Sequence, residues 1–223
     1  LAGASVGNYA LFAGGQGDGY VKAVDVYDTD LTRSTPTALS LARYNVAGAS
    51  VGNYALFAGG YTGSNVNAVD AYDSNLTRTT PTALSTARHT LAGASIGDYA
   101  LFAGGYRGSY SAVVDAYTAE LTRSTPTALS AARSALAGAS VGDYALFAGG
   151  YTGSYSAVVD AYTTNLTRST PTALSAARSN LAGASVGDYA LFAGGYTGSV
   201  TSAVVDAYSN FVSSTYLPIT AGS

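Results

Sequence analysis

The sequence predicts an all-β fold of five radially set, four-stranded antiparallel blades, a five-bladed β-propeller. Three observations predict it. The phrase Leu/Val-Ala-Gly-Ala-Ser-Val/Ile-Gly-Asn/Asp-Tyr-Ala-Leu-Phe-Ala-Gly-Gly opens at Leu1, Val46, Leu91, Leu136 and Leu181, at intervals of 45 residues. A fixed period in this range marks stacked or radially arranged units. Each period holds short alternating or β-branched stretches separated by Gly, Ser, Asn and Asp, the pattern of strands and turns. Pro36, Pro81, Pro126 and Pro171 recur at one phase. Proline cannot donate to a β-ladder, so that phase belongs to an exposed outer edge. The 223 residues therefore read as a single domain, 1–223, with repeats 1–45, 46–90, 91–135, 136–180 and 181–223.

The fourth unit serves as the specimen. Residues 136–142 (LAGASVG) form a small-residue first strand, narrow enough to line a crowded axis, and Gly142-Asp143 turns the chain. Residues 144–148 (YALFA) alternate Tyr144 and Leu146 against Ala145 and Phe147, a strand with two packed faces. After Gly149-Gly150 and a loop, residues 157–162 (AVVDAY) are β-branched and aromatic, a third strand. Residues 166–174 (LTRSTPTAL), containing Pro171, are a weaker fourth strand. A helical repeat of similar length fails, because no segment carries apolar residues at helical spacing and Gly or Pro interrupts about every ten residues. A β-solenoid is the competing all-β reading.

Composition narrows the function classes. Hydrophobic residues make up 48% and charged residues 10%, enough to bury a core and too apolar for a disordered tract. The formal net charge is −3, with Lys22 the only lysine and the arginines dispersed through the repeats, so no basic stripe exists for nucleic acid. The absence of cysteine excludes disulfides and thiol chemistry. No apolar run reaches the roughly 18 residues of a membrane span. No methionine occurs, so Leu1 is read as following a processed or excised segment.

The unit resembles a kelch repeat. The matching residues are an arginine ahead of the first strand (Arg43, Arg88, Arg133, Arg178), the glycine doublet that begins at Gly14, Gly59, Gly104, Gly149 and Gly194, and a third-strand tyrosine (Tyr27, Tyr72, Tyr117, Tyr162, Tyr208). The likeness covers essentially the whole chain and implies a kelch-type propeller. It departs in the fourth strand, where kelch blades usually carry tryptophan and this chain has L-T-R-S/T-T-P-T-A-L. The near-identical wording of the units also resembles kelch-like proteins of Firmicutes and their phages. Among kelch-type propellers some support oxidases and sugar-acid isomerases.

The last unit differs from the others, with an extra residue in 199–202 and the ending Phe211–Ile219. Each blade is expected to be contiguous in sequence, and the ring to close by packing of blade five on blade one. A partial ring completed by another segment or a second chain is the alternative.

Repeated charges read as architecture. Asp25, Asp70, Asp115, Asp160 and Asp206 lie in third strands, and with the repeated arginines they are expected to satisfy one another between blades. His89 and Glu120 are the only residues of their kinds and lack the companions that acid–base catalysis needs. No catalytic residue, metal site or cofactor is predicted. The functional signal is topological. In an up-and-down blade the second-to-third loop and the fourth-to-next-first loop leave by one face, and both vary among units. Tyr20, Tyr44, Tyr61, His89, Tyr106, Arg107, Tyr110, Tyr151, Tyr155 and Tyr196 gather there as a candidate ligand-binding surface. Tyrosine with Ser, Gly and Asn suits adaptable recognition and sugar contact. The expectation is a non-enzymatic binding or structural module for a glycan or protein partner, acting as a monomer or within a larger assembly. It would make no nucleic-acid contact or membrane insertion, and an extracellular or virion surface is favoured. An engineered or recently amplified scaffold without a ligand, and a kelch-type enzyme, are the alternatives.

Overall fold

The computed structural model describes residues 1–209. Over that range the chain is all-β and contains no helix. The first blade comprises β1 (Ala2–Val6), β2 (Tyr9–Ala13), β3 (Val24–Tyr27) and β4 (Arg33–Ser34). The second comprises β5 (Ala47–Val51), β6 (Tyr54–Ala58), β7 (Val69–Asp73) and β8 (Arg78–Thr79). The third comprises β9 (Ala92–Ile96), β10 (Tyr99–Ala103), β11 (Val114–Tyr117) and β12 (Arg123–Ser124). The fourth comprises β13 (Ala137–Val141), β14 (Tyr144–Ala148), β15 (Val159–Thr163) and β16 (Arg168–Ser169). In the fifth, β17 (Ala182–Val186), β18 (Tyr189–Ala193) and β19 (Val205–Ser209) are described. The fourth strand expected there, within 211–219, lies outside the described residues. Every blade is an antiparallel meander whose strand order follows the sequence, inner to outer. The predicted five-bladed β-propeller architecture is therefore observed.

The axis explains the small-residue strand. A Cβ added to Gly48 would lie 2.2 Å from the carbonyl oxygen of Gly3, and Gly93, Gly138 and Gly183 meet the preceding blade in the same way. No larger residue fits. Serines stitch the same level: Ser5 N donates to Ser50 Oγ at 3.1 Å, Ser50 N to Ser95 Oγ at 2.8 Å, and Ser140 N to Ser185 Oγ at 2.9 Å.

Alternation then assigns the two faces of each blade. Leu56, Ala58, Val69 and Ala71 of the second blade pack on Ala100, Phe102 and Tyr117 of the third. The core is thus a series of interblade layers, and each of the other joints repeats this one. On the face that meets the preceding blade, Phe57 and Tyr72 stand edge-to-face at 6.1 Å, as do their counterparts in every blade.

Two expectations change. The fourth strand is far shorter than the predicted nine residues: β16 is two residues long. Leu166 ahead of it adopts φ 60°, which ends the strand conformation on one side, and the Ser-Thr-Pro run ends it on the other. Among the described residues, the ring also does not close between blades one and five. Phe12 is 40% exposed where Phe57, Phe102, Phe147 and Phe192 are fully buried, and β17 is exposed along its whole length. A Cβ on Gly3 would meet Phe12 and the Leu11 carbonyl of its own blade, all at 3.5 Å or more, instead of a neighbouring blade's backbone. Among the described residues, no hydrogen bond, ion pair or ring contact joins the first blade to the fifth.

Candidate functional site

The variable loops are held by the joints between blades. Ahead of each new blade, one residue of the incoming segment forms a two-bond antiparallel bridge with the second-to-third loop of that blade. Tyr44 N donates to Tyr61 O at 3.2 Å and Tyr61 N to Tyr44 O at 2.9 Å. His89 pairs with Tyr106, Ser134 with Tyr151 and Ser179 with Tyr196 in the same manner. Within each loop a second bridge folds the chain back, Tyr106 to Tyr110 and Tyr151 to Tyr155. The extra residue of the fifth unit is absorbed there, because Tyr196 pairs with Thr201.

These bridges set aromatic rings side by side across all five blades. Tyr20 stacks on Tyr44 at 5.5 Å, with ring planes 7° apart. From Tyr44 the contacts run edge-to-face through Tyr61 (5.8 Å), His89 (5.3 Å) and Tyr106 (5.7 Å). They continue through Tyr110 (5.5 Å), Tyr151 (5.8 Å), Tyr155 (5.1 Å) and Tyr196 (5.7 Å). The nine rings form one unbroken arc. Such pairs add roughly 0.5–1.5 kcal/mol each beyond area burial, so the arc is a stiff surface. Tyr20 and Tyr196, at its ends, are the most open, both 39% exposed.

Of the ten residues singled out from the sequence, nine are brought together. Arg107 is the exception. It is exposed at a loop tip, and among the described residues it makes no ring contact or ion pair. Asn65 was missed: its Oδ1 lies 2.7 Å from His89 Nδ1, and that acceptor places the imidazole proton on Nδ1 and leaves Nε2 as an acceptor. The signal for it was Asn65 standing where the third and fourth units carry Tyr110 and Tyr155. Burial holds the His89 pKa below its ordinary value, so the ring is neutral near pH 7.

The repeated charges lie elsewhere, inside the joints. Arg43 and Asp70 pair at 2.8 Å with both side chains buried, and Arg88–Asp115, Arg133–Asp160 and Arg178–Asp206 repeat the pair. Asp70 also accepts from Ser40 N and Ser40 Oγ, both at 3.0 Å, and from Arg78 at 3.2 Å. Tyr72 donates its hydroxyl to the Thr37 carbonyl at 2.8 Å, and burial pushes that phenol well above the usual range. The charges are paired between blades as expected, while the guanidinium Nε of Arg43, Arg88, Arg133 and Arg178 finds no hydrogen-bond partner among the described residues. The glycine doublet belongs to the same joint: Gly59 (φ 68°) would place a Cβ 2.6 Å from the Arg88 carbonyl oxygen. Around the axis, Gly3, Gly48, Gly93, Gly138 and Gly183 help line an opening of about 460 Å³. Among the described residues, no group of three or more acidic or histidine side chains could hold a metal ion.

A scan against protein-family models returns no match, and a comparison with the curated proteins returns none either. The propeller architecture is established by the blades themselves, five repeated antiparallel sheets about one axis.

Proposed function

We propose that the protein is a non-enzymatic recognition module of kelch type, and that the nine-ring arc is its contact surface for an extended glycan or protein partner. The single observation that carries this reading is the continuity of the arc. The joint bridges form equally with Ser134 and Ser179, so the backbone pairing does not itself demand a ring at each position. Edge-to-face packing spends most ring faces on neighbouring rings. What the arc offers a partner is therefore ring edges and phenol hydroxyls, with the Ser, Thr and Asn of the loops beside them. That chemistry makes many shallow contacts and suits a repetitive partner, whose weak contacts add by multivalency. Repetition itself argues against a catalytic centre, because five similar loops do not build one asymmetric site.

The test is a pair of proteins, the parent and a Tyr61→Ala/Tyr106→Ala/Tyr151→Ala variant, applied to a glycan array and to candidate surface proteins. The reading expects partners held by the parent and lost, by roughly a hundredfold or more in affinity, by the variant. Partners that bind both proteins equally would place recognition elsewhere.

A further inference from the structure

Among the described residues, the first blade presents an unoccupied copy of a socket that is filled in the other four blades. At each internal joint the preceding unit lays down a Thr-x-x-Ser-x-x-Arg segment: Thr37, Ser40 and Arg43 onto the second blade, and their repeats onto the third, fourth and fifth. The threonine carbonyl accepts the tyrosine hydroxyl, and the serine and arginine close on the aspartate. The arginine also donates to a phenylalanine carbonyl, as Arg88 Nη2 does to Phe102 O at 3.0 Å. In the first blade the same receiving groups stand ready. Phe12 and Tyr27 are paired at 6.2 Å. Asp25 is held by Arg33 at 2.6 Å, with its side chain 39% exposed. Leu31, whose counterpart Leu76 packs into the adjoining core, is 79% exposed. Among the described residues, five aspartates meet four incoming arginines, and the odd aspartate is Asp25.

We infer that this face of the first blade binds the Thr-x-x-Ser-x-x-Arg segment of a further repeat unit. The occupant is argued from the four filled copies and from charge. Asp25 has the arginine of its own sheet but lacks the incoming one that Asp70 and its counterparts receive in addition. Residues 179–223 contain neither arginine nor lysine, so they cannot supply it. A second copy of the chain has its four segments of this kind already seated in its own joints. It would therefore bury Asp25 against an apolar flank (Val186, Val205) with Arg33 alone and without the second, incoming arginine that Asp70 receives, a poorer joint than the four internal ones.

The experiment titrates a synthetic peptide reproducing residues 166–180 into the full chain, followed by calorimetry. Saturable one-to-one binding is expected. It should weaken by about tenfold or more when the peptide carries alanine at the position of Arg178, and equally when the chain carries Asp25→Asn. Because Asp25 is partly exposed, that variant retains the fold, which circular dichroism checks. No binding at millimolar peptide, or binding indifferent to both changes, overturns the inference. So does sedimentation of the chain alone as a dimer in which Phe12 becomes buried, since the occupant would then be a second copy.

Discussion

Arg88 and Asp115 meet at 2.8 Å across the joint between the second and third blades, and neither side chain reaches solvent. Their counterpart at the first blade, Asp25, pairs among the described residues with Arg33 of its own sheet alone, and that pair is open to water. The same two residue types therefore have opposite energetic weights in one molecule. Replacing Asp115 by alanine leaves a buried guanidinium uncompensated and should cost about 3–5 kcal/mol. Replacing Asp25 by alanine should cost no more than about 1 kcal/mol. Urea denaturation of both variants checks the contrast, and equal losses would refute it.

The axis gives a second contrast. In Gly93→Ala the new methyl would sit 2.2 Å from the Gly48 carbonyl oxygen, a backbone atom that cannot swing aside. A loss of about 3 kcal/mol is expected from overpacking. Gly3→Ala meets the Phe12 ring at 3.5 Å and the Leu11 carbonyl oxygen at 3.8 Å, ordinary contact distances, and should change stability by less than about 1 kcal/mol. Thermal melts of the two variants measure the difference directly.

Much of this was legible beforehand, and two residue sets show why. Residues 144–148 form the strand expected of them because alternation of Tyr and Leu against Ala and Phe is a local signal, and β-ladders preserve it. The loop tyrosines gather on one face because strand number alone decides on which side a connection exits. The short fourth strand and the open ring were not read correctly. Leu166 takes a left-handed φ to let Asp-like turn chemistry operate, as where Asp73 Oδ1 accepts from Asn75 N and Thr77 N. No propensity rule assigns that conformation to leucine. Closure depends on the angle at which neighbouring blades pack, which side-chain volumes in the joints determine and repeat number does not. The tally of five aspartates against four arginines carried the sign of an open flank in plain view.

Leucine in a left-handed conformation stores strain, and the strain can be isolated. Leu31 has φ 60° and lies exposed, while Leu76 has φ 61° and packs in a core. Leu31→Asn relieves the backbone without loss of packing and should stabilise the chain by about 1 kcal/mol. Leu76→Asn gives up buried apolar surface and should destabilise it. Paired denaturation curves decide the matter.

His89 supplies a pH dependence. Its folded pKa is depressed by burial, so between that value and the unfolded one near 6.5 the unfolded chain binds more protons. The stability that neutral His89 contributes is present above pH of about 6.5 and is lost as the pH falls through the folded pKa. Removing the titration with His89→Gln should flatten the acid side of the stability profile. A parent and variant with parallel profiles from pH 7 to pH 5 would exclude this role.

The claim most open to direct measurement is that the receiving flank of the first blade stands uncovered while the receiving flanks of the other four blades are sealed. Labelling the six phenylalanines with fluorine and adding a soluble paramagnetic agent reads each ring's access to solvent, with Phe12 assigned through Phe12→Leu. The account predicts strong broadening at Phe12 and little at Phe57, Phe102, Phe147 and Phe192. A Phe12 signal as protected as those four would contradict it, and the ring would have to be closed.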